Sequence, residues 1–452
     1  MAAIANEEIH NLFSNEKHKV HQYKTEDYYS LNCFTQTTSQ ISFTTAQIKD
    51  TQIIFKDSYV VLDLSVAATG ATATSEISLK EGVASIFSNV QVSIAGGTSI
   101  VNQQNVNLLN GKKLLLKDYT WAKNIGPELC YDRDTGPAET AVYATAQQTT
   151  TSTNAAFNQG LLNRVNYIIA NSLTAKAFVG GILVQTFRVY VPLSIIHDWF
   201  AQMNYPISGV SFQIDLFLAH AISPWQIFQI TDTAVNTNVT AINTTVVSTP
   251  YLYYKGVTLN DDDATKYQHA ISHGLTKTVN FISQQVNYSF VGRTETSISM
   301  TPFQNIVRPL RLWCFAYYAN ELRSVNNTFS PSVQLDYFNV LANNKSIFQV
   351  QPIMGQRRLY DQLRNTIYDY TDDMAVANLT FADFLSNYKM YVFDLSRVKY
   401  NTSNLNTPVQ IDVVASRLTA TPIDFIYIIE YEDTAILHLS DGNGTMVNAP
   451  PQ

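Results

Sequence analysis

Charged side chains are scarce in this sequence. Asp, Glu, Lys and Arg make up 14% of the 452 residues, where roughly 25% is usual for soluble proteins. The balance is acidic, with a formal net charge of −7. Because nucleic-acid binding depends on clustered Lys and Arg that neutralise phosphates, this composition argues against such a role. A surface with little charge and many small polar groups is suited to packing against copies of the same chain.

Cysteine is also rare. Cys33, Cys130 and Cys314 form no CxxC pair and have no metal-ligand spacing, so we expect them to be reduced and packed, in a reducing compartment. The N-terminus, MAAIANEEIHNLF, has no basic start followed by an apolar stretch, so no secretory signal is expected. No run approaches the ~18 apolar residues of a membrane helix, so no membrane span is expected.

Familiar catalytic motifs are absent from the sequence, which has no GxSxG, HExxH, GxxxxGKS/T or GxGxxG. His269 and His273 lie four residues apart, beyond the acidic run 261–263, and on a helix both could face one metal ion. A solvated acidic run is the more ordinary interpretation, and His18 and His21 near the N-terminus offer no better site. The sequence therefore predicts no metal and no cofactor.

Two groups of carboxylates could be imagined as a glycosidase pair. One lies at the end of a predicted helix, and the other alternates along a predicted strand as solvent-facing positions do. The four tryptophans could form a sugar platform, but each has apolar neighbours and is expected in a core or an interface. No catalytic residue is predicted, and the chain is not expected to be an enzyme. The residues considered are Asp369, Asp372 and Asp373; Glu430, Glu432 and Asp433; and Trp121, Trp199, Trp225 and Trp313.

The sequence is rich in residues that favour strands. It contains 26 Tyr and 23 Phe, and 46% of its residues are hydrophobic. Aromatic and β-branched side chains suit a pleated, half-buried surface, and alternating apolar positions recur from residue 41 onward. The main helix candidates are 107–121 and 357–370, and the long polar tracts 132–160 and 222–248 are predicted to be loops.

Short motifs recur in the same order in the two halves of the chain. AGGTSI (95–100) matches ANNKSI (342–347), and both have the turn formers of a tight hairpin. Gln-Ile-Asp occurs at 213–215 and again at 410–412, and a Thr-Pro pair opens a tyrosine-rich strand at 249 and a second strand at 421. Three matches in one order indicate an internal duplication of a β-domain.

The fold class predicted from this pattern is all-β, with two tandem eight-stranded jelly-roll β-sandwiches and a short helix inserted after the central hairpin of each. An array of immunoglobulin-like domains is the alternative, although it has shorter turns and no inserted helix. The predicted domains are an arm with an amphipathic helix at 4–20, a first jelly roll, a linker, a second jelly roll and a tail, at 1–38, 39–260, 261–276, 277–438 and 439–452.

Several stretches resemble double jelly-roll major capsid proteins of the polinton-like virus, adintovirus and virophage type, within the tectivirus–adenovirus lineage. In the first half, SIFSNVQVSIAGGTSIV followed by NLLNGKKLLLKDYTW resembles that family's short helix, strand, turn, strand and helix. FVGGILVQTFRVYVPLSIIHDWF, GVSFQIDLFLAH and TPYLYYKGVTL resemble the strands that complete its first barrel. In the second half, VRPLRLWCFAYYANE and VQLDYFNVLANNKSIF resemble the strand pair of large-DNA-virus and tectivirus-type capsid proteins.

The resemblance implies a structural role. Three chains would form a trimeric, pseudo-hexagonal capsomer with six barrels, and capsomers would tile an icosahedral shell around double-stranded DNA. The implied partners are two further copies of the chain, neighbouring capsomers, and penton and minor capsid proteins, without sequence-specific nucleic-acid binding. The N-terminal arm would contact neighbours or an internal membrane. The implied location is the virion, after assembly inside the infected host cell.

Two other functions are kept as alternatives. A receptor- or glycan-binding spike or minor capsid protein would have a saturable site and form no lattice. A β-sandwich hydrolase would require one of the carboxylate groups to be catalytic.

Overall fold

The computed structural model describes residues 23–37, 39–48, 51–94, 97–133, 159–219, 227–231, 241–318, 333–348, 352–367, 379–386, 388–396, 408–417, 420, 422–440 and 442–447. The helix predicted at 4–20 lies outside these residues.

Strands of the first half form two main antiparallel sheets. One has the order β1-β13-β4-β9-β8, with β12 beside β4, and the other has the order β2-β3-β10-β6-β7, while β5 pairs with β11. The strands are β1 Thr25–Asn32, β2 Thr35–Gln36, β3 Gln40–Thr44, β4 Gln52–Thr69, β5 Glu76–Leu79, β6 Phe87–Ile94, β7 Ser99–Gln103, β8 Ala177–Val179, β9 Ile182–Pro192, β10 Phe212–Leu218, β11 Phe228–Thr231, β12 Ala241–Val246 and β13 Tyr251–Thr258.

The second half repeats this arrangement. One sheet has the order β14-β22-β16-β20, with β23 beside β22, and the other has the order β15-β21-β17-β18, with β19 beside β17. The strands are β14 Thr276–Arg293, β15 Ser297–Ile306, β16 Pro309–Tyr318, β17 Tyr337–Ala342, β18 Lys345–Ser346, β19 Ile353–Met354, β20 Tyr391–Asp394, β21 Val409–Ser416, β22 Ile423–His438 and β23 Asn443–Val447.

Eight strands of each half share one connectivity. Counted along the chain within each half, one sheet holds the first, eighth, third and sixth strands, and the other holds the second, seventh, fourth and fifth. This is the strand order of a jelly roll. The eight strands are β1, β3, β4, β6, β7, β9, β10 and β13 in the first barrel, and β14, β15, β16, β17, β18, β20, β21 and β22 in the second.

The recurring sequence motifs occupy equivalent positions in the two barrels. Gln213 and Asp215 lie on β10 and are joined by side-chain hydrogen bonds of 3.2 and 3.0 Å. Gln410 and Asp412 lie at the matching place on β21 and are joined by bonds of 3.0 and 3.1 Å. The repeated Gln-Ile-Asp thus preserves one local hydrogen-bonding pattern in both barrels.

The twin hairpins also match. They join β6 to β7 and β17 to β18, the fourth and fifth strands of each barrel. Asn343 and Asn344 have φ angles of 50° and 63°, and Gly97 has a φ of 94°. Two consecutive positive φ angles make the Asn-Asn turn type I′, whose twist fits a tight hairpin.

Helices fill the connections between strands. A helix follows the twin hairpin in each barrel, as predicted, and the predicted 107–121 helix is divided in two. The helices are α1 Val106–Leu115, α2 Tyr119–Asn124, α3 Gln159–Ala170, α4 Leu193–Ile196, α5 Asp198–Gln202, α6 Asp261–Ser272, α7 Gln356–Ile367 and α8 Phe381–Ser386.

Each barrel has its own hydrophobic core, and each core receives side chains from the other half. Leu108 and Leu109 of α1 pack into the second core. Phe281 and Leu437, from β14 and β22, pack into the first core. Alternating burial along β21 shows one face of this strand turned inward. The exchange of apolar side chains makes the boundary between the barrels a continuation of both cores.

Several segments differ from the sequence-based picture. The predicted 222–248 loop is wrong where β11 and β12 form, and β12 is held because it pairs along β4. Within the predicted arm, β1 pairs with β13 over Thr25–Asn32. The predicted linker contains α6, which buries Tyr267 and Ala270, and β23 lies within the predicted tail. The domain limits themselves stay predictions.

Gly209 provides a test of the contact between the barrels. Its φ is +88°, and a Cβ added there would lie 2.7 Å from the backbone oxygen of Leu439, the residue directly after β22 of the second barrel. We expect Gly209→Ala to lower the free energy of unfolding by more than about 1 kcal/mol, as measured by denaturant unfolding.

The matched control is Gly97→Ala, since Gly97 has a φ of +94° but a Cβ there would meet no atom of the described residues within 4 Å. It isolates the cost of the backbone conformation. Equal losses for the two variants would show that the approach of Gly209 to Leu439 adds no cost.

Candidate functional site between the two barrels

A buried ion pair joins the two barrels. Lys112 on α1 donates from Nζ to Oε1 of Glu430 on β22, and the two side chains are 1% and 6% exposed. Burying a charge costs several kcal/mol unless a partner and hydrogen bonds compensate. The pair therefore requires α1 of the first barrel to be seated on β22 of the second.

Glu430 has further partners in the second barrel. Gln284 Nε2 donates to its Oε1 over 2.9 Å, and an Arg311 guanidinium nitrogen lies 3.4 Å from its Oε2. On the other side of the pair, Lys112 Nζ lies 4.6 Å from the centroid of the Trp313 ring, in cation–π contact. Each charged group therefore has at least one contact in addition to its ion-pair partner.

The pKa shifts of the pair agree with this picture. Burial raises the pKa of Glu430, but the Lys112 ammonium, together with Arg311 and Trp313, more than offsets burial, so this pKa lies below its usual value. Burial lowers the pKa of Lys112, and the Glu430 carboxylate opposes that change. The lowered pKa of Glu430 keeps its carboxylate ionised at neutral pH.

Hydrogen bonds between side chains and backbone groups reinforce the junction. Gln103, at the end of β7, donates from Nε2 to the Gln284 carbonyl over 2.8 Å, and its Oε1 accepts from the Gln284 amide over 3.1 Å. Nearby, Asp198 Oδ2 accepts from the Ile282 amide over 2.9 Å. Both contacts link the first barrel to β14, so side chains of one barrel satisfy backbone groups of the other.

A cavity of about 250 Å³ lies at this junction. Its lining comes from both barrels: α1 and the residues after it, the α4–α5 segment, and strands β14, β16 and β22. The charged and polar lining residues are Gln103, Asn110, Lys112, Lys113, Lys117, His197, Asp198, Gln284, Arg311 and Glu430.

Burial shifts the pKa values of two ionisable groups in the cavity lining. Burial lowers the pKa of Lys113 to about 8, although Asp198 opposes the change. Its ammonium donates to the Ser194 carbonyl over 2.9 Å. Burial also lowers the pKa of His197 to about 3, and its Nδ1 accepts from the Trp199 amide. His197 is therefore neutral at pH 7, and Lys113 is mostly charged.

A second notable feature is a tyrosine face on the β1-β13-β4-β9 sheet, formed by Tyr28, Tyr59, Tyr190, Tyr251 and Tyr253. Tyr59 and Tyr253 stack with centroids 5.4 Å apart, and Tyr28 and Tyr190 lie 5.8 and 6.2 Å from Tyr59. Tyr28 is 48% exposed and Tyr190 is 43% exposed. Amphipathic aromatic rings of this kind are enriched at protein interfaces.

The predicted histidine pair is on the surface of α6. The His269 and His273 rings stack with centroids 4.1 Å apart, and both residues are exposed. Over the described ranges, no group of three or more His, Cys, Asp and Glu is placed to hold a metal ion. His18 and His21 lie outside those ranges.

The carboxylates on β22 are not where the sequence placed them. The expectation that all three face solvent is wrong for Glu430 and Asp433, each 5% exposed, and holds for Glu432. The alternation rule fails for Glu430 because the other barrel covers it. Asp369, Asp372 and Asp373 lie outside the described residues.

The tryptophans and cysteines are packed much as expected. Trp199 and Trp313 are fully buried, and Trp121 packs against both cores, while Trp225 lies outside the described residues. All three cysteines are free thiols, with Cys130 and Cys314 buried and Cys33 half-buried. Burial raises the pKa of the Cys130 thiol to about 12. Among the described helices, none is long and apolar enough to cross a membrane.

The Lys112–Glu430 pair was not predicted from the sequence. The two residues are 318 positions apart, and neither belongs to a motif. One signal was available: two lysines interrupt the apolar face of a predicted helix in NLLNGKKLLLKDYTW. Charged residues on such a face call for a partner when the helix is buried.

Two jelly rolls with one strand order, joined in a single chain, define the double jelly-roll fold. No protein-family model matches the sequence, and no curated protein matches it. Solved structures do show the same fold.

The chain is similar to a chain in a cryo-EM structure of the Sputnik virophage, with 12% identity and a TM-score of 0.59 over 96% of this chain and 91% of that one. It is similar to the mavirus major capsid protein, with 12% identity and a TM-score of 0.58 over 97% and 94%. For PBCV-1 VP54 the identity is 11% and the TM-score 0.51, over 96% and 100%.

These neighbours are double jelly-roll major capsid proteins of viruses. At such low identities the likeness establishes the fold. The predicted fold class, two tandem jelly rolls with inserted helices, is confirmed.

Removing one member of the buried pair is expected to be costly. Lys112→Met leaves the Glu430 carboxylate buried without its main counter-charge, and we expect a loss of about 3–5 kcal/mol in the free energy of unfolding. Adding Glu430→Gln removes the stranded charge and should restore part of the loss. Urea unfolding at pH 7 of both variants measures the difference. A double variant less stable than Lys112→Met would contradict a charge-based role for the pair.

Asp433 gives a pH-dependent prediction. Burial raises its pKa to about 6, although a hydrogen bond from Ser283 opposes the change. Since the folded-state pKa lies above the unfolded value, stability is present at low pH and is lost as pH rises through about 6. We expect Asp433→Asn to raise the free energy of unfolding at pH 8 by up to about 3 kcal/mol. At pH 4 it should have little effect. Denaturant unfolding at both pH values checks this, and equal gains at the two would contradict it.

Proposed function

We propose that this chain is the major capsid protein of an icosahedral double-stranded DNA virus. The observation that carries the proposal is the pair of jelly rolls with identical strand order, locked together by a buried junction within one chain. The similarity to viral capsid proteins over nearly the whole chain supports it.

The geometry suits a flat tile. Three chains with two barrels each supply six similar barrels around one axis, which gives a three-fold particle a nearly hexagonal outline. Closed rotational symmetry is the usual way in which identical chains associate. A fixed angle between the barrels is required for such a tile, and the Lys112–Glu430 junction provides one.

The tyrosine face is our candidate for a contact between copies of the chain. Its rings are amphipathic and partly exposed, and the chain as a whole carries few charges that would have to be desolvated on association. In this proposal the occupant of the face is a second copy within the capsomer.

The remaining parts of the proposal follow from the capsid role. The partners are the other copies of a homotrimer, neighbouring capsomers, and penton and minor capsid proteins, and the protein resides in the virion after assembly in the host cell. We further propose that the part of the chain before β1 acts as an arm toward neighbours or an internal membrane. The barrels would extend from β1 to β13 and from β14 to β22. The role is structural, without catalysis.

Purified protein tests the proposal. We expect light scattering after size-exclusion chromatography to give three times the 50.6 kDa of one chain. Negative-stain electron microscopy should show three-fold particles with a hexagonal outline. A stable monomer across protein and salt concentrations would overturn the capsid role, and saturable glycan binding by such a monomer would favour the receptor-binding alternative.

A pair of variants tests the tyrosine face separately. Tyr28→Ser with Tyr190→Ser should weaken the trimer. Tyr288→Ser, a change at a residue that is 48% exposed on β14, outside this face, should leave it intact. A trimer unaffected by the double variant would exclude the tyrosine face and leave the capsid role standing.

A further inference from the structure

The cavity between the barrels has an excess of positive charge. Four cationic side chains line it, Lys112, Lys113, Lys117 and Arg311, and only two carboxylates, Glu430 and Asp198. Four charges against two leave a net of two positive charges when all are ionised. Since an uncompensated charge is costly in a partly buried site, this excess favours a negatively charged occupant.

Both carboxylates are already engaged. Glu430 accepts from Lys112, Gln284 and Arg311, and Asp198 accepts from the Ile282 amide. The cations are less fully used. Lys113 donates to the Ser194 carbonyl and, over 3.4 Å, to the Ile195 carbonyl. An ammonium has three N–H groups, so Lys113 has a donor left for a ligand.

Asn110 is a second, independent sign of a ligand. Its residue is 2% exposed and lines the cavity. Among the described residues, neither Oδ1 nor Nδ2 of its side chain has a hydrogen-bond partner. Because buried amides normally have hydrogen-bond partners, this side chain calls for a hydrogen-bonding ligand inside the cavity.

We propose that this cavity binds one small oxyanion, of the size and charge of inorganic phosphate or sulfate. Lys113, Lys117 and the Asn110 amide would approach it from the first barrel, and Arg311 from the second. A guanidinium and an ammonium are the groups that proteins use most for such ligands.

The size of the cavity agrees with this class of ligand. Its volume of about 250 Å³ equals roughly eight water molecules at ~30 Å³ each. This is enough for one tetrahedral oxyanion with a few waters and too little for a nucleotide. The site goes beyond the proposed capsid role and does not depend on it, but the bound anion would connect the barrels and strengthen their junction.

Isothermal titration with inorganic phosphate at pH 7 tests the proposal, with sodium chloride adjusted to keep ionic strength constant. We expect saturable binding of one phosphate per chain, and a rise in the melting temperature with phosphate that equal ionic strength of chloride does not give. Lys113→Met and Arg311→Gln should each weaken binding at least tenfold.

A further variant, Asn110→Asp, distinguishes loss of the anion site from loss of the fold. The change is nearly isosteric and places a carboxylate among the lysines, so the folded protein should persist while phosphate binding is lost. Lys345→Met is the matched control, because Lys345 is an exposed lysine in the second-barrel hairpin, away from the cavity. Its phosphate affinity should equal that of the unmodified chain.

Three outcomes would overturn the proposal. The first is the absence of both saturable binding and thermal stabilisation in the unmodified protein. The second is an equal loss of binding in Lys345→Met, which would indicate general screening of surface charge. The third is unchanged binding in a folded Asn110→Asp variant.

Discussion

The Lys112–Glu430 ion pair is the constraint on which the arrangement of the two barrels depends. Both charges are withdrawn from water, and neither barrel alone could bury its member without a large desolvation cost. The pair can therefore form in only one position of α1 against β22. Around it, Gln103 and Gln284 exchange hydrogen bonds, and apolar side chains of each half enter the core of the other. A repeated domain becomes one rigid body through this contact.

The sequence predicted the repeated fold because local chemistry specifies it. Alternating apolar positions mark the strands, and Asn343-Asn344 can adopt the positive φ angles of a tight turn. The shared Gln-Ile-Asp marks the same strand in each barrel. What the sequence could not reveal was which surface residues of one barrel the other barrel would cover. Glu430 alternates as an exposed strand residue does, and only the tertiary pairing with a residue 318 positions away makes it buried. β12 was missed for a similar reason, since its stability comes from β4.

The two faces of the first sheet illustrate how one strand pattern serves two purposes. On β9, Val189 and Val191 point into the core while Tyr190, between them, lies on the tyrosine face. The same alternation that builds the barrel also places a row of rings outside it. A shift of one residue in the register of β9 would exchange these sets, so the core fixes the outer surface. Any surface that copies of the chain share is specified by the packing beneath it.

The connectivity of the first sheet sets an order of events during synthesis. Strand β1 pairs along its length with β13. The edge of β1 therefore stays uncovered until Thr258, the pairing partner of Thr25, has been synthesised. Contacts this distant in sequence slow folding and leave strand edges open to wrong partners. Lys112 stays without its partner over a longer stretch of synthesis, because Glu430 follows it by 318 positions. A growing chain therefore keeps the edge of β1 open until β13 has been made and leaves Lys112 unpaired until Glu430 has been made. A chain halted before β13 keeps both.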